Sequence, residues 1–324
     1  MNGLKNINYF LSSKNLLGIL ISLLCIYWSF RNFDSSIFIN EIKSINFHLF
    51  IFASLLLILT VFIRSFRWLL FFNNEESKSL KLIELFKNQM IGYFGNNIFP
   101  LRLGDLLRVS KMSQTASLSP SYLLGTIVTE RIVDILSLIL LLLLAFPFIW
   151  NNEIIVDFFS NLQYLDLNSF YFYIVILLFF LIIIYFLFRN NKVINWSLFI
   201  SAFSNIKGYK KIVTIIILSS LIWIIYLINI IIISNSMIGI HSFTILESFL
   251  LLVFITFSIV VLPSAPGTIG TFQAAVVFIM TSSLFNYDKS IALSFSIILH
   301  AYSYITYSLV GGYFFIRSNI GLNK

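Results

Sequence analysis

Residues 47–72 read FHLFIFASLLLILTVFIRSFRWLLFF. The run holds no acid, and its only full charges are Arg64 and Arg67 near its end. A helix of about 20 apolar residues crosses the roughly 30 Å hydrocarbon core of a bilayer. The run is therefore read as a membrane-spanning helix. The rest of the chain agrees. Of its 324 residues 59% are apolar and only 10% charged, and the mean hydropathy is +0.96. A soluble domain carries about 25% charged residues. So little charge cannot cover a soluble surface, which excludes an ordinary soluble enzyme, a disordered chain and a disulfide scaffold. The single cysteine, Cys25, allows no intrachain disulfide. His48, His241 and His300 lie far apart in sequence, and no metal site is expected.

Working outward from 47–72, five more apolar runs are candidate spans: 16–30, 122–150, 170–188, 212–234 and 291–316. Two further stretches, 83–101 and 246–284, are broken by Gly, Pro and Asn. They are read as re-entrant hairpins or broken helices. Lys and Arg set the orientation. The N-terminus carries Lys5 and Lys14, and 189–211 carries Arg189, Lys192, Lys207, Lys210 and Lys211 without an acid. The stretch 151–169 holds Glu153, Asp157 and Asp166 without a base. The first two regions are then cytoplasmic and the third is outside. Lys78 and Lys81 precede the first broken stretch, Lys87 lies near its start, and Arg102, Arg108 and Lys111 follow it. A segment with two basic ends enters and leaves on one side. Six crossings put both termini in the cytoplasm and make the second broken stretch start from the outer face. The net charge, 21 − 13 = +8, is a membrane-orientation signal and not a nucleic-acid one. The first apolar run, with no small-residue cleavage site after it, is expected to be retained.

The two broken stretches share a pattern. One contains Asn96, Asn97, Pro100 and Gly104; the other contains Pro263, Pro266, Gly267, Gly270 and Gln273. In each, a Pro precedes a Gly by four residues. Interrupted helices entering from opposite faces and meeting near the midplane are the mark of inverted repeats. The expected architecture is an all-α polytopic membrane protein. It has about six transmembrane helices and two Pro/Gly-broken re-entrant segments in pseudo-inverted repeat, all in one domain over 1–324.

A charge within a span costs about 2.5–3.5 kcal/mol at the helix centre and needs a partner or a wet cavity. Glu130 and Asp134 lie four apart on one face of the third run, and Arg131 is three from Asp134. Arg102, Asp105 and Arg108 follow the first break. Arg102 sits between Pro100 and Gly104 and can hold a phosphate, because a guanidinium offers paired donors to its oxygens. Arg108 and Lys111 are read as ordinary cytoplasmic charges. Arg64 and Arg67 are read as snorkelling to the interface. His300, with Tyr304 and Tyr307 on its helix, is read as a hydrogen-bonded structural histidine. Gln273 either caps the turn after Gly270 or meets a ligand. The candidate headgroup site is thus Arg102, Asp105, Glu130, Arg131 and Asp134. No phosphate loop, Asp-x-Asp pair, G-x-S-x-G elbow or H-E-x-x-H helix is present. Neither nucleotide-driven transport nor a catalytic role is expected, and no cofactor is implied.

Three motifs occur in order: Asn96–Arg108, Glu130–Asp134 and Leu262–Gln273. Together they resemble the membrane region of lysylphosphatidylglycerol synthetase/flippase proteins and the stand-alone flippase-like family that shares it. The likeness extends over nearly the whole chain. It implies a multi-pass plasma-membrane protein of a prokaryote that moves a phosphate-bearing lipid between leaflets. The alternative it implies is a membrane subunit or enzyme of glycolipid, polyprenyl-phosphate sugar or aminoacyl-lipid synthesis. The soluble domain that makes the aminoacyl lipid in bifunctional relatives has no counterpart in these residues. The partners implied are membrane lipids, with a second copy of the chain or a separate lipid-modifying enzyme beside them. Two departures stand out. Asp105 replaces the family's usual Glu after Gly104, which keeps the acid. Gln273 replaces a Glu, which removes a carboxylate from the second motif.

Overall fold

The computed structural model describes residues 13–31, 33–99, 103–150, 195–261 and 264–321. All regular elements among the described residues are helical. They are α1 (Ser13–Phe30), α2 (Ser35–Ser44), α3 (Phe47–Leu69), α4 (Asn74–Ser79), α5 (Leu82–Ile98) and α6 (Gly104–Ala116). After them come α7 (Pro120–Trp150), α8 (Trp196–Ser201), α9 (Tyr209–Ser234), α10 (Ile245–Val261), α11 (Thr271–Met280) and α12 (Lys289–Gly321). By length and composition, Phe47–Leu69, Tyr209–Ser234 and Lys289–Ser318 can each cross a membrane. Shorter apolar helices cover Gly18–Phe30, Ile245–Ile259 and Pro266–Met280. The span expected at 170–188 and the acidic stretch 151–169 lie outside the described residues.

The longest helix among the described residues, α12, serves as a ruler for the rest. Its 33 residues reach about 50 Å at ~1.5 Å per residue. Both broken stretches are helical hairpins laid against it. In the first, α5 and α6 run antiparallel: Asn96 lies beside Gly104, Gly92 beside Arg108, and Asn88 beside Met112. Helix α5 climbs α12 from its C-terminal end. Phe86 packs edge-on to Phe314, Tyr93 stacks on Tyr307 at 4.4 Å, and Asn97 Nδ2 donates to the Tyr304 carbonyl at 3.1 Å and to Ser308 Oγ at 3.0 Å.

The second hairpin pairs α10 with α11. Phe254 stacks on Phe278 at 5.7 Å, and beyond the helix ends Phe243 meets Phe285 and Tyr287. Its base lies at the N-terminal end of α12, where Phe243 also contacts Phe295. Its far end lies near the middle of α12, where Gln273 Nε2 is 3.0 Å from His300 Nδ1. The two hairpins therefore approach from opposite ends of α12. Their tips touch there: Gly267, at φ 65°, lies against the Asn97 carbonyl and the Tyr304 ring. A side chain at Gly267 would meet both the tyrosine and an unfavourable backbone conformation.

The remaining long helices close the bundle. Helices α3 and α9 are antiparallel, joined by Asn46 N–H to the Ser236 carbonyl at one end and by Arg67 Nη1 to Ser219 Oγ at the other. Helix α7 leaves the same end as α6, held by Tyr122 OH to Glu76 Oε2 at 2.6 Å. Between lipid-embedded helices the apolar driving force is weak, so close packing and hydrogen bonds hold the bundle. Gly104 shows the closeness: a Cβ there would collide with the Gly92 carbonyl oxygen and the Asn96 amide. Trp68, Phe71, Phe72, Leu85 and Leu123 fill the core beside the first hairpin. A larger cluster, with Leu251, Val276, Met280 and Phe295 at its centre, fills the core beside the second.

Candidate functional site

Charged residues of three helices, α3, α6 and α7, meet beside Gln89 of α5 and Tyr226 of α9. Glu130 is fully buried on α7. Its Oε2 accepts from Arg108 Nη2 of α6 at 2.8 Å and from Gln89 Nε2 of α5 at 3.4 Å. Its Oε1 faces Arg64 Nη1 at 3.4 Å and Arg67 Nη2 at 3.8 Å, both on α3. One turn further along α7, Asp134 Oδ2 accepts from Arg64 Nη1 at 2.9 Å, and its Oδ1 lies 2.7 Å from Arg67 Nη2. Tyr226 of α9 completes the ring, accepting from Arg64 Nε at 3.3 Å. The Arg108 guanidinium lies 3.6 Å over the Trp68 ring, which gives a desolvated cation a favourable π face. Trp68 in turn donates its indole N–H to Thr126 Oγ1 at 3.0 Å.

Arg131 stands apart from this knot. Its Nη2 pairs with both oxygens of Asp105 at 3.1 and 3.2 Å, and its side chain is 33% exposed. The expected pairing with Asp134 is the weaker one, at 3.8 Å. Asp105 and Arg131 form the rim of a crevice shared with Gln89, Gly92, Tyr93 and Arg108, closed too tightly to admit water. The set holds four arginines (64, 67, 108, 131) and three carboxylates (105, 130, 134). The balance is 4 − 3 = +1, so the site keeps one positive charge that no carboxylate of the set offsets. Arg67 Nε and Arg108 Nε are also buried without hydrogen-bond partners. A multidentate anion suits such a site, because each free guanidinium N–H is a directed donor.

The fold corrects two readings of the sequence. Arg64 and Arg67 do not snorkel: they are 4% and 0% exposed and point into the bundle. Arg108 is no ordinary interfacial charge: it is 1% exposed and bound to Glu130. Hints of both were present. Arg64 and Arg67 are three apart on one helical face, and Glu130 and Asp134 are four apart on another, so two cations match two anions. Gln89 and Tyr93 gave no sequence signal, because one polar residue in an apolar helix does not say which way it faces.

The structure brings Asp105, Glu130, Arg131 and Asp134 together. Arg102, Pro100 and Pro263 lie outside the described residues. Asn96 packs beside Gly104, and Asn97 ties the first tip to α12. Pro266, Gly267, Gly270 and Gln273 build the second tip, away from the charges. There Gln273 Oε1 accepts the Gly270 N–H at 2.8 Å, and the same side chain meets His300. His300 is stacked on Phe272 at 4.6 Å.

No curated protein and no solved structure matches the chain. The family model described as the lysylphosphatidylglycerol synthase TM region matches residues 15–311. With nearly its whole length matched and its motif charges gathered between helices, this chain belongs to the lysylphosphatidylglycerol synthase transmembrane-region family.

Proposed function

We propose that this protein moves a phosphate-bearing lipid between the leaflets of a prokaryotic plasma membrane. The observation that carries the reading is the buried four-arginine, three-carboxylate cluster with its surplus positive charge and its partly exposed Arg131. In this reading the chain crosses the bilayer six times, with both termini in the cytoplasm. The two hairpins are re-entrant, one from each face. The base of the first hairpin, with Lys78, Lys81 and Lys87, faces the cytoplasm by the excess of Lys and Arg. A phosphate passing from that base toward the hairpin tip, where Asp105 follows Gly104, displaces Asp105 from Arg131, exchanging one anion for another on the same guanidinium. The crevice opens as Asp105 leaves, and Arg108 and Gln89, which line it, replace the water the headgroup loses. The acyl chains stay in lipid, so only the headgroup is carried past the hydrocarbon core. The residues that hold the charge do not react, and the step needs no bond made or broken.

The test is leaflet exchange in proteoliposomes. Phospholipids with fluorescent headgroup-side labels and fluorescent polyprenyl phosphates are followed by accessibility to a membrane-impermeant quencher. The expected result is protein-dependent exchange that Arg131→Ala lowers at least tenfold at equal folded yield, with Arg131→Lys recovering part of it. Exchange that is unaffected by Arg131→Ala, or absent for all of these lipids, overturns the reading.

A further inference from the structure

An apolar groove of about 380 Å³ lies between α1 and the second hairpin, lined by Leu24, Cys25, Trp28, Phe254, Ala274 and Phe278, among others. It is far from the charge cluster, which sits beside the first hairpin. The groove exists because the facing positions are small: Ser258, Ala274 and Ala275 lie where larger side chains would close it. Its rim is apolar and exposed, with Leu24 at 59%, Trp28 at 42% and Phe278 at 48%. In a membrane such a slot is filled by hydrocarbon.

One end of the groove is polar. The helical path continues to Arg31, whose N–H donates to the Tyr27 carbonyl at 3.0 Å, so Leu24, Trp28 and Arg31, spaced i, i+4 and i+7, follow the side of α1 that borders the slot. Arg31 is exposed just past the end of α1. Lys289 Nζ lies 4.9 Å over the Trp28 ring and donates to the Trp28 and Arg31 carbonyls at 2.6 and 2.9 Å. Two carboxylates stand nearby, and both are occupied. Asp34 accepts from the Ser36 hydroxyl and N–H at 2.7 and 2.8 Å. Those bonds hold it below the usual carboxylate range. Asp288 accepts from Ser290 N–H at 2.7 Å. Arg31 and Lys289 are thus the cations at this end of the groove, and a zwitterionic or an anionic phospholipid meets the same phosphate donors there. A tryptophan between an apolar slot and a cation marks the level of a lipid headgroup.

We infer that the groove between α1 and the second hairpin is a phospholipid site, holding one acyl chain along Leu24, Cys25, Trp28 and Ala274 with the lipid phosphate against Arg31. This goes beyond the translocation reading. It lies between α1 and the second hairpin and uses none of the arginine cluster's residues.

The experiment is photo-crosslinking in vesicles of unlabelled phosphatidylcholine. The probes, at low mole fraction, are phosphatidylcholine, phosphatidylglycerol and diacylglycerol, each with a diazirine in one acyl chain; labelled peptides are mapped by mass spectrometry. Both phospholipid probes are expected to label the peptides of residues 24–28 and 274–278 at least fivefold more than the exposed face of α3 at Leu55, Leu59 and Phe62. Diacylglycerol is expected to show no such enrichment. Ala274→Trp fills the slot and should abolish the enrichment, and Arg31→Ala should lower it severalfold. Equal labelling of groove and α3 face overturns the proposal, and so does equal enrichment by diacylglycerol. Crosslinking does not depend on lipid movement, so it stands or falls separately from the exchange assay.

Discussion

At the scale of single residues, Glu130 carries the greatest electrostatic weight. It is fully buried and faces three arginines from two helices. Removing one partner of a buried ion pair costs about 3–5 kcal/mol, because the remaining charge stays desolvated. Glu130→Gln keeps the shape and removes the charge. It raises the local surplus to two positive charges, since 4 − 2 = +2. The expected outcome is a large drop in the thermal midpoint of the detergent-solubilised protein. An unchanged midpoint would show that the arginines find water or another anion instead. Arg131 is the opposite case. It is partly exposed with a single close partner, and partly exposed pairs are worth much less. Its loss should spare folding and appear in exchange, which makes it the better functional probe.

At the scale of elements, the first hairpin depends on Gly104. Most helix pairs stand about 8–10 Å apart, with side chains between their backbones. Here the α6 backbone rests on the Gly92 carbonyl and Asn96 amide of α5. Gly104→Ala puts a methyl group into that contact. Overpacking of this kind costs about 1–3 kcal/mol, and the shift pushes Arg108 away from Glu130 along the same helix. A lower melting temperature together with weakened exchange is expected. Full activity and stability in this variant would mean that α6 can slide without consequence. The second hairpin is held differently, by the positive φ of Gly267 and Gly270 and by the Gln273 cap. One tip thus depends on a close approach of backbones and the other on local backbone conformation.

At the scale of the whole molecule, the two hairpins lie along α12 from opposite ends and touch at its middle. This makes a topological prediction. In a Cys25→Ser background, Ser79→Cys and Thr115→Cys lie at the two ends of the first hairpin, and Ser283→Cys lies at the base of the second. A membrane-impermeant maleimide should label the first two from the cytoplasmic face and the third from the other. Labelling of Ser79→Cys and Thr115→Cys from opposite faces would turn the first hairpin into full crossings and refute the re-entrant reading. The arrangement also separates features in space: charges gather beside the first hairpin, and the apolar groove lies beside the second.

The sequence by itself determined the class of protein and much of its layout. Low charge and long apolar runs allow only membrane helices, since a backbone in lipid must satisfy its own hydrogen bonds. Gly and Pro marked both breaks, with Asn96 and Asn97 in the first, because those residues set backbone conformation locally. The carboxylates on α7 were legible too, because a charge in an apolar run stands out at once. The rotation of each helix was decided only by the tertiary structure. In water, an apolar stripe against a polar face tells which side is buried. In a bilayer both the lipid side and the packed side are apolar, so that periodic signal fades. Arg64, Arg67 and Arg108 therefore read as outward-facing charges until packing turned them toward Glu130 and Asp134. The meeting of the hairpin tips at Tyr304 depends likewise on contacts between residues some 170 positions apart, which no local pattern encodes.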